Sequence, residues 1–393
     1  MQLRATSTAL VLLSSSLVMA SCGTTTTSHA TPIASAPGVT TSSVLFASEV
    51  NTATPSHRYA IDEVAGMRAV LRLFDRHHGV FGRQLSLVVK DDAGQSAIAA
   101  DETSYLGNTV GAFALIGDSP STVAPAVSAQ ASSAGGILQL FPVGAATGPN
   151  TVNTAPSVTT VALDLGAALR SLDLANGTIG VLASGTVPKI ATDLGVTTTP
   201  VQLTYTSSGQ LQGASQLTSR VPDLIVSFAP RVVTAKLLTE LGRLNEAPTV
   251  IAVSDTVSRA TLRAEAPTFH GTLLRFGTWV PLGALNRAWS RYLGAVDQFL
   301  APKVPMNSAT LDGIYAATMS VELLRSVGIN PSRRAILTNL ARDRFVPLAP
   351  AIGPWTATSG FQGGVLTGTA HPWYVSGFKV NATPPHLPAP PAL

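Results

Sequence analysis

The sequence predicts an α/β protein built of two doubly wound lobes, and three observations predict it. From Val44 onward, short apolar runs of strand length alternate with stretches whose apolar residues recur at helical spacing. A Gly/Pro-rich stretch, Pro142 to Pro156, interrupts this rhythm, which then restarts. Roughly 370 residues remain beyond the first 21, enough for two cores of ordinary size. Alternating strands and helices make a parallel sheet with helices on both faces, because each parallel connection needs a crossover.

Element by element, Val44 to Ala47 is a short apolar strand. Ile61, Val64, Ala65, Val70, Leu71, Leu73 and Phe74 then recur at helical spacing, and a turn around Gly79 to Gly82 leads into a strand of alternating Leu85, Leu87 and Val89. A helix near Ala97 to Leu106, strand Ala112 to Ile116, helix Ser121 to Ser133 and strand Ile137 to Leu140 complete the first block. The second opens with a helix near Val161 to Leu174 and continues through strand Thr178 to Leu182, a helix ending at Gly195, and strands Val201 to Thr206 and Leu224 to Phe228. Helix Val232 to Leu241, strand Thr249 to Val253 and strand Gly271 to Trp279 follow. Helices near Leu282 to Leu300, Ser308 to Val327 and Ser332 to Arg342 come next. Phe361 to Leu366 and Tyr374 to Val380 read as strands, and residues 382–393 as a disordered Pro-rich tail.

The start of the chain is read differently. Arg4 gives a thin positive region and Thr8 to Ala20 an apolar stretch too short to span a hydrocarbon core of ~30 Å, so residues 1–21 read as a signal peptide. The string Leu17-Val18-Met19-Ala20-Ser21-Cys22 resembles a bacterial lipobox, which implies cleavage before Cys22 and acylation of its sulfur, with diacylglycerol and palmitate-like chains. Two or more chains hold a protein on a bilayer where one holds only marginally. The alternative is a buried free cysteine behind an ordinary signal peptide. Gly23 to Thr41 has almost no large apolar residue, so residues 22–42 read as the acylated cysteine and a flexible tether. The expected location is the extracytoplasmic face of the cell membrane, reached through lipid only, since no apolar run of about 18 residues follows the signal.

Composition excludes several chemistries. Cys22 is the only cysteine, which excludes a disulfide, a CxxC pair and a zinc–thiolate site. The net charge of +4 comes from dispersed basic residues without a cluster, so no nucleic-acid partner is expected. No P-loop, no GxGxxG after a strand and no H-E-x-x-H is present. Gly117-Asp118-Ser119-Pro120-Ser121 is offset from a nucleophile elbow and broken by proline. No catalytic residue, cofactor or metal is therefore predicted, and an exported hydrolase stays a remote alternative. His77-His78 diverge on a helix and Asp91-Asp92 point to opposite faces of a strand, so surface and turn or cap roles suit them.

One stretch goes further. Gly79-Val80-Phe81-Gly82-Arg83, the strand after it and the closing Asp91-Asp92 resemble a hallmark of type I periplasmic solute-binding proteins, in the leucine/isoleucine/valine-binding-like branch. Ala114-Leu115-Ile116-Gly117 with Ser121-Thr122-Val123-Ala124-Pro125 resembles that family's strand, Gly loop and Ser-led helix. Leu140-Phe141-Pro142 is similar to its next strand and Pro turn, and Leu311-Asp312-Gly313-Ile314-Tyr315-Ala316-Ala317 to its "Y-D-A" helix. The resemblance covers roughly Val44 to Val380. It implies two Rossmann-like lobes joined by three crossovers, near Thr154 to Val158, Val280 to Leu282 and Phe345 to Pro350, with the ligand in the cleft between them. Residues 43–156 plus 281–346 would form the first lobe, and 157–280 plus 347–381 the second.

The resemblance also directs the choice of ligand contacts. Ser121 opens a helix, where free amides and the helix dipole favour a carboxylate, and Thr122 adds a hydroxyl; Ser121 also suits a plain N-cap worth about 1 kcal/mol. Past Pro142 the family's Ser/Thr hydroxyl is displaced, leaving backbone groups at Val143 and Ala145. In the second lobe Ser184-Gly185-Thr186-Val187 stands where relatives place an aromatic, Phe228 is an apolar wall or core, and Asp255 is a partner for a ligand ammonium or a loop cap. His57 is a loop histidine near the first cleft strand. The reading is a monomeric, lipid-anchored solute-binding protein that takes a small polar molecule, an amino acid or related carboxylate or amide, to the permease of an ABC importer. The alternative is a sensing or degenerate binding lipoprotein that signals to a membrane partner.

Overall fold

The computed structural model describes residues 31–52, 57–117, 123–133, 135–143, 146–154, 158–171, 174, 176–183, 187–196, 200–206, 209–253, 259–277, 285–342, 345–346, 355–356, 364–365, 367–368, 374–376 and 390–393. Residues 32–393 form one compact unit, and the fold is that of this unit. The signal peptide and Cys22 lie outside the described residues.

The first block runs β1 (Ser43–Val50), α1 (His57–Arg76), β2 (Gln84–Asp91), α2 (Ser96–Ser104), a π-helical turn (Tyr105–Thr109), β3 (Ala114–Ile116), α3 (Ala124–Ser133), β4 (Leu138–Leu140) and β5 (Thr151–Asn153). Its strands are parallel, in the order β5-β4-β3-β1-β2. Every residue of β3, β4 and β5 is buried, as parallel strands covered on both faces require. β5 falls inside the stretch read from sequence as an interruption; flanked by glycine and proline, three residues carry no periodicity to read.

The second block runs α4 (Val158–Ser171), β6 (Ile179–Leu182), α5 (Val187–Asp193), β7 (Val201–Tyr205), β8 (Leu211–Gln212), α6 (Ser215–Ser219), β9 (Leu224–Ser227), α7 (Arg231–Arg243), β10 (Thr249–Val253), α8 (Arg259–Glu265) and β11 (Leu273–Gly277). The order β11-β10-β9-β6-β7 repeats that of the first sheet, and β8 adds antiparallel to β7. Each sheet thus has a topological switch point, β1/β3 in the first and β6/β9 in the second, where connections leave in opposite directions.

α9 (Arg287–Asp297), α10 (Ser308–Ser326) and α11 (Arg333–Arg342) then return to the first sheet, where Trp289, Ile314 and Ile336 join one core with Phe46, Phe74 and Leu138. Asn286 and Asn307 cap α9 and α10, their side chains accepting from the amides of Trp289 and Thr310, each at 3.0 Å. Gly66 and Gly313 let α1 and α10 touch backbone to backbone. On the opposite face of the first sheet Ala99 of α2, Leu106 of the π-helical turn and Val127 of α3 form a core with Leu115 of β3, and the second sheet likewise has a core on each face.

The C-terminal segment departs from expectation. β12 (Phe345–Val346), β13 (Trp355–Thr356) and β15 (Thr367–Gly368) make a small antiparallel sheet. β14 (Gly364–Val365) pairs parallel with β5, so it extends the first sheet although 347–381 was assigned to the second lobe. β16 (Tyr374–Ser376) pairs antiparallel with β11 in the second. The chain is therefore still paired with the first sheet at Val365, beyond the crossover expected near Phe345 to Pro350.

The expected tether is also shorter than read. Val39 is buried and paired with Ala36 and Val44, Ile33 donates to Asn330 Oδ1 at 3.0 Å, and Arg83 holds the carbonyls of Ile33 and Thr40, so residues 33–40 are packed on the domain. At the other end the carbonyl of Ala392 accepts from Arg325 Nη1 at 2.6 Å, so the expected disordered tail has a fixed point.

Candidate functional site

In open α/β sheets ligands settle at the carboxyl ends of the strands, beside the switch point. In the first sheet that place is the end of β1 and β3. The strand read as ending at Ala47 continues through Ser48, Glu49 and Val50, all buried. Ser48 faces the α1/α10 side and its hydroxyl donates to the carbonyl of Gly117 at 2.8 Å. Glu49 faces the other way and accepts from Thr103 Oγ1 at 2.6 Å.

The first turns of α1 and α10 converge on the same edge. Tyr59 donates to Asp312 Oδ2 at 2.6 Å, Asn307 Nδ2 to Asp62 Oδ2 at 2.7 Å, and Arg58 pairs with Asp62 at 3.2 Å. These polar groups were not singled out from sequence. The one signal was a polar pair, Ser48-Glu49, interrupting an apolar strand at its carboxyl end.

Two loops leave this edge through left-handed residues. Gly117 has φ +47°, which favours glycine, and a Cβ there would stand 3.0 Å from Met67 Sδ and 3.1 Å from Glu63 Oε1, so any larger residue would be strained and would push those side chains aside. Its amide donates to Leu140 at 3.2 Å, which fixes where the segment carrying Ser121 begins. Phe141 has φ +54° although it is not glycine, is buried, and donates its amide to Val152 at 2.7 Å. Backbone held in a sparsely populated region is found preferentially at ligand clamps and switches. Phe141 launches Pro142 and Val143.

Of the residues chosen from sequence, Ser121, Thr122, Ala145 and Asp255 lie outside the described residues. His57 is the first residue of α1, and its side chain is outside them as well. Val143 is half-buried three residues beyond β4. Phe228 follows β9, donates its amide to Leu182 at 2.8 Å and packs partly buried on the second-lobe core that contains Val181 and Phe276. Its loop is held by Thr234, whose hydroxyl lies 2.8 Å from Ser227 Oγ and donates to the carbonyl of Ala229 at 3.1 Å. Asp91 and Asp92 are turn residues: Asp91 Oδ1 accepts from the amides of Thr52 and Ala93, and Asp92 Oδ1 from that of Gly94 at 2.7 Å.

Arg83 of the G-x-x-G-R turn does not approach this edge. Its guanidinium is buried and donates to the carbonyls of Thr40, Ile329 and Ile33, and burial lowers its pKa. Arg333 does similar work, donating to Phe113, Ala112 and Gly135.

Comparison with known proteins agrees with this architecture. The profile of a family described as "Periplasmic binding protein" matches residues 50–366. Among solved structures, a possible leucine/isoleucine/valine-binding protein from Rhodopirellula baltica superposes with a TM-score of 0.69 at 16% identity, over 88% of this chain and 95% of that one. A fatty acid ABC transporter substrate-binding protein from Thermomonospora curvata gives 0.67 at 14% identity, over 86% and 89%. The branched-chain amino acid transporter substrate-binding protein of Streptococcus pneumoniae, solved with isoleucine, gives 0.66 at 14% identity, over 85% and 98%. No curated protein matches the chain in sequence. Among the described residues no helix is long and apolar enough to cross a membrane.

Proposed function

Because this chain belongs to the periplasmic binding protein family, we propose that it is a lipid-anchored, extracytoplasmic solute-binding protein that captures a small polar ligand between its lobes for an ABC importer. The observation that carries this is the repeated sheet: two sheets of the same strand order, each with its own switch point, with α9 to α11 and β14 joining the first and β16 the second. A ligand touching both lobes binds the closed form more tightly than the open one, so capture and closure are one equilibrium.

The ligand class we propose is an amino acid or a related carboxylate or amide. Ser121 and Thr122, ahead of α3, would give hydroxyls and a helix N-terminus to a carboxylate. Val143 and Ala145 would contribute backbone groups, His57 and Phe228 side walls, and Asp255 a counter-charge for an ammonium. Cys22 would carry the lipid, and the protein would act as a monomer toward its permease.

A second reading is favoured by one observation. Val143-Gly144-Ala145-Ala146-Thr147 offers no hydroxyl directly after Pro142, which suits a sensor or a degenerate binder that reports to a membrane partner. A thermal-shift panel of amino acids, small amides, carboxylates, polyols and sugars on residues 32–393 separates the two. A binder at a hundredfold its Kd gains about 2.7 kcal/mol. A rise in Tm abolished by Ser121→Ala supports capture in the cleft, and silence from a folded protein supports the sensor.

A further inference from the structure

We infer that the first lobe carries a second binding groove, for a small alkyl carboxylate, on the outer side of α1. The groove encloses about 380 Å³, within the usual range for small-molecule sites of roughly 300–1,000 Å³. α1 forms one wall, the segment between α9 and α10 the other, and the carboxyl end of β1 with Val89 of the edge strand β2 lies beside them. Among the described residues its lining comes from the first lobe alone, with α1 standing between most of it and the β1/β3 edge; Val50 and Thr52 are where the two approach.

Its lining divides by chemistry. Ile61, Val64 and Ala65 on α1 face Phe299 and Val304 across the groove. Ile61 is 41% exposed, an apolar side chain left partly uncovered on a helix whose apolar residues otherwise pack inward. One and two turns further along, Arg68 and Arg72 line the same groove, four residues apart and therefore on one face of the helix. Both are exposed, and neither makes an ion pair with a described residue. The opposite wall adds only apolar side chains, Phe299, Ala301 and Val304, so the two arginines are the charged groups among its described lining.

An apolar trough ending in two guanidinium groups that form no ion pair among the described residues matches an aliphatic chain with an anionic head. Arginine pairs with a carboxylate through two parallel hydrogen bonds, and two arginines one turn apart offer both of its oxygens a partner. A polar zwitterion would leave the trough unfilled, and a neutral chain would leave the arginines unused.

Calorimetric titration of the purified chain with sodium decanoate, below its micelle-forming concentration, and with neutral decanamide tests this. We expect decanoate to bind one-to-one and decanamide to bind far less. The double variant Arg68→Ala/Arg72→Ala should weaken decanoate about tenfold or more, Ala65→Trp should abolish binding by filling the trough, and Ser121→Ala should change nothing. The inference is overturned if decanoate does not bind, if binding survives both groove variants, or if it is lost with Ser121→Ala, which would place it in the cleft. Light scattering closes the remaining case: a dimer relieved by Ala65→Trp would make a second copy of the chain the occupant. A failure here leaves the cleft reading standing, since that one is measured with polar ligands and Ser121→Ala.

Discussion

Arg83 Nη2 stands 2.8 Å from the carbonyl oxygen of Ile33, tying the turn before β2 to the segment that precedes β1. The same guanidinium reaches Ile329 at 2.5 Å and Thr40 at 2.7 Å, so one buried cation joins three segments distant in sequence. Each hydrogen bond to a charged group contributes about 1.5–3 kcal/mol, and removing the donor strands three carbonyls.

Arg83→Ala is therefore expected to destabilise the protein by roughly 3–5 kcal/mol in urea unfolding, with faster proteolysis between residues 33 and 40. Arg83→Lys should recover only part of this, because an ammonium cannot reach three divergent carbonyls.

The approach of α1 to α10 gives a second test. A Cβ at Gly313 would fall 1.9 Å from the carbonyl oxygen of Glu63, and one at Gly66 would fall 2.2 Å from that of Thr310. Backbone on both sides cannot yield as a flexible side chain does. Gly313→Ala should cost at least about 2 kcal/mol, measured as a lower urea midpoint.

Alkaline pH gives a third. Burial raises the pKa of Tyr292 and of Tyr315, with the nearby Asp312 carboxylate adding to the rise at Tyr315. Unfolded tyrosines ionise near pH ~10, so the stability tied to these two is whole below that pH and is lost as pH climbs above it. We expect the urea midpoint to fall past pH ~10 and the fall to be shallower in Tyr292→Phe. Phenolate absorbance of the native protein should show these two of the six tyrosines resisting ionisation.

Gly117 links stability to binding. Gly117→Ala meets both a left-handed φ and crowding from Glu63, Met67 and Ala316, so about 1 kcal/mol or more should be lost. The shift of the Ser121 segment should also weaken ligand binding more than the stability loss explains, as measured by calorimetry on protein still folded.

Much of this fold was legible because parallel strands buried on both faces read as continuous apolar runs. β10 runs over Thr249–Val253, the bounds read from sequence, and β6, β9 and β11 fall within theirs. What escaped was short or set by distant partners. β5, β8 and α6 are too brief for any period to emerge. The packing of Ile33 and Val39 depends on Arg83 and Asn330, which composition alone does not place. β14 and β16 were both read as strands, yet their division between two sheets is decided by pairing with β5 and β11, a long-range choice with no local signature. At the site, Ser48 and Glu49 were missed because a polar pair in a strand reads as its end. Ile61 recurs at helical spacing with the inward-facing residues of α1, yet it is 41% exposed beside the groove between α1 and Phe299.

The most direct test of the central claim is energy transfer between the lobes. Residues 32–393 contain no cysteine, so labels can be placed through Arg76→Cys on α1 and Leu163→Cys on α4, both at exposed positions. We predict that a ligand found in the thermal-shift panel changes the transfer efficiency, saturates with the same Kd as binding, and loses this effect in Ser121→Ala. A ligand that binds with that Kd while the distance between labels stays constant would contradict capture by closure of the two lobes.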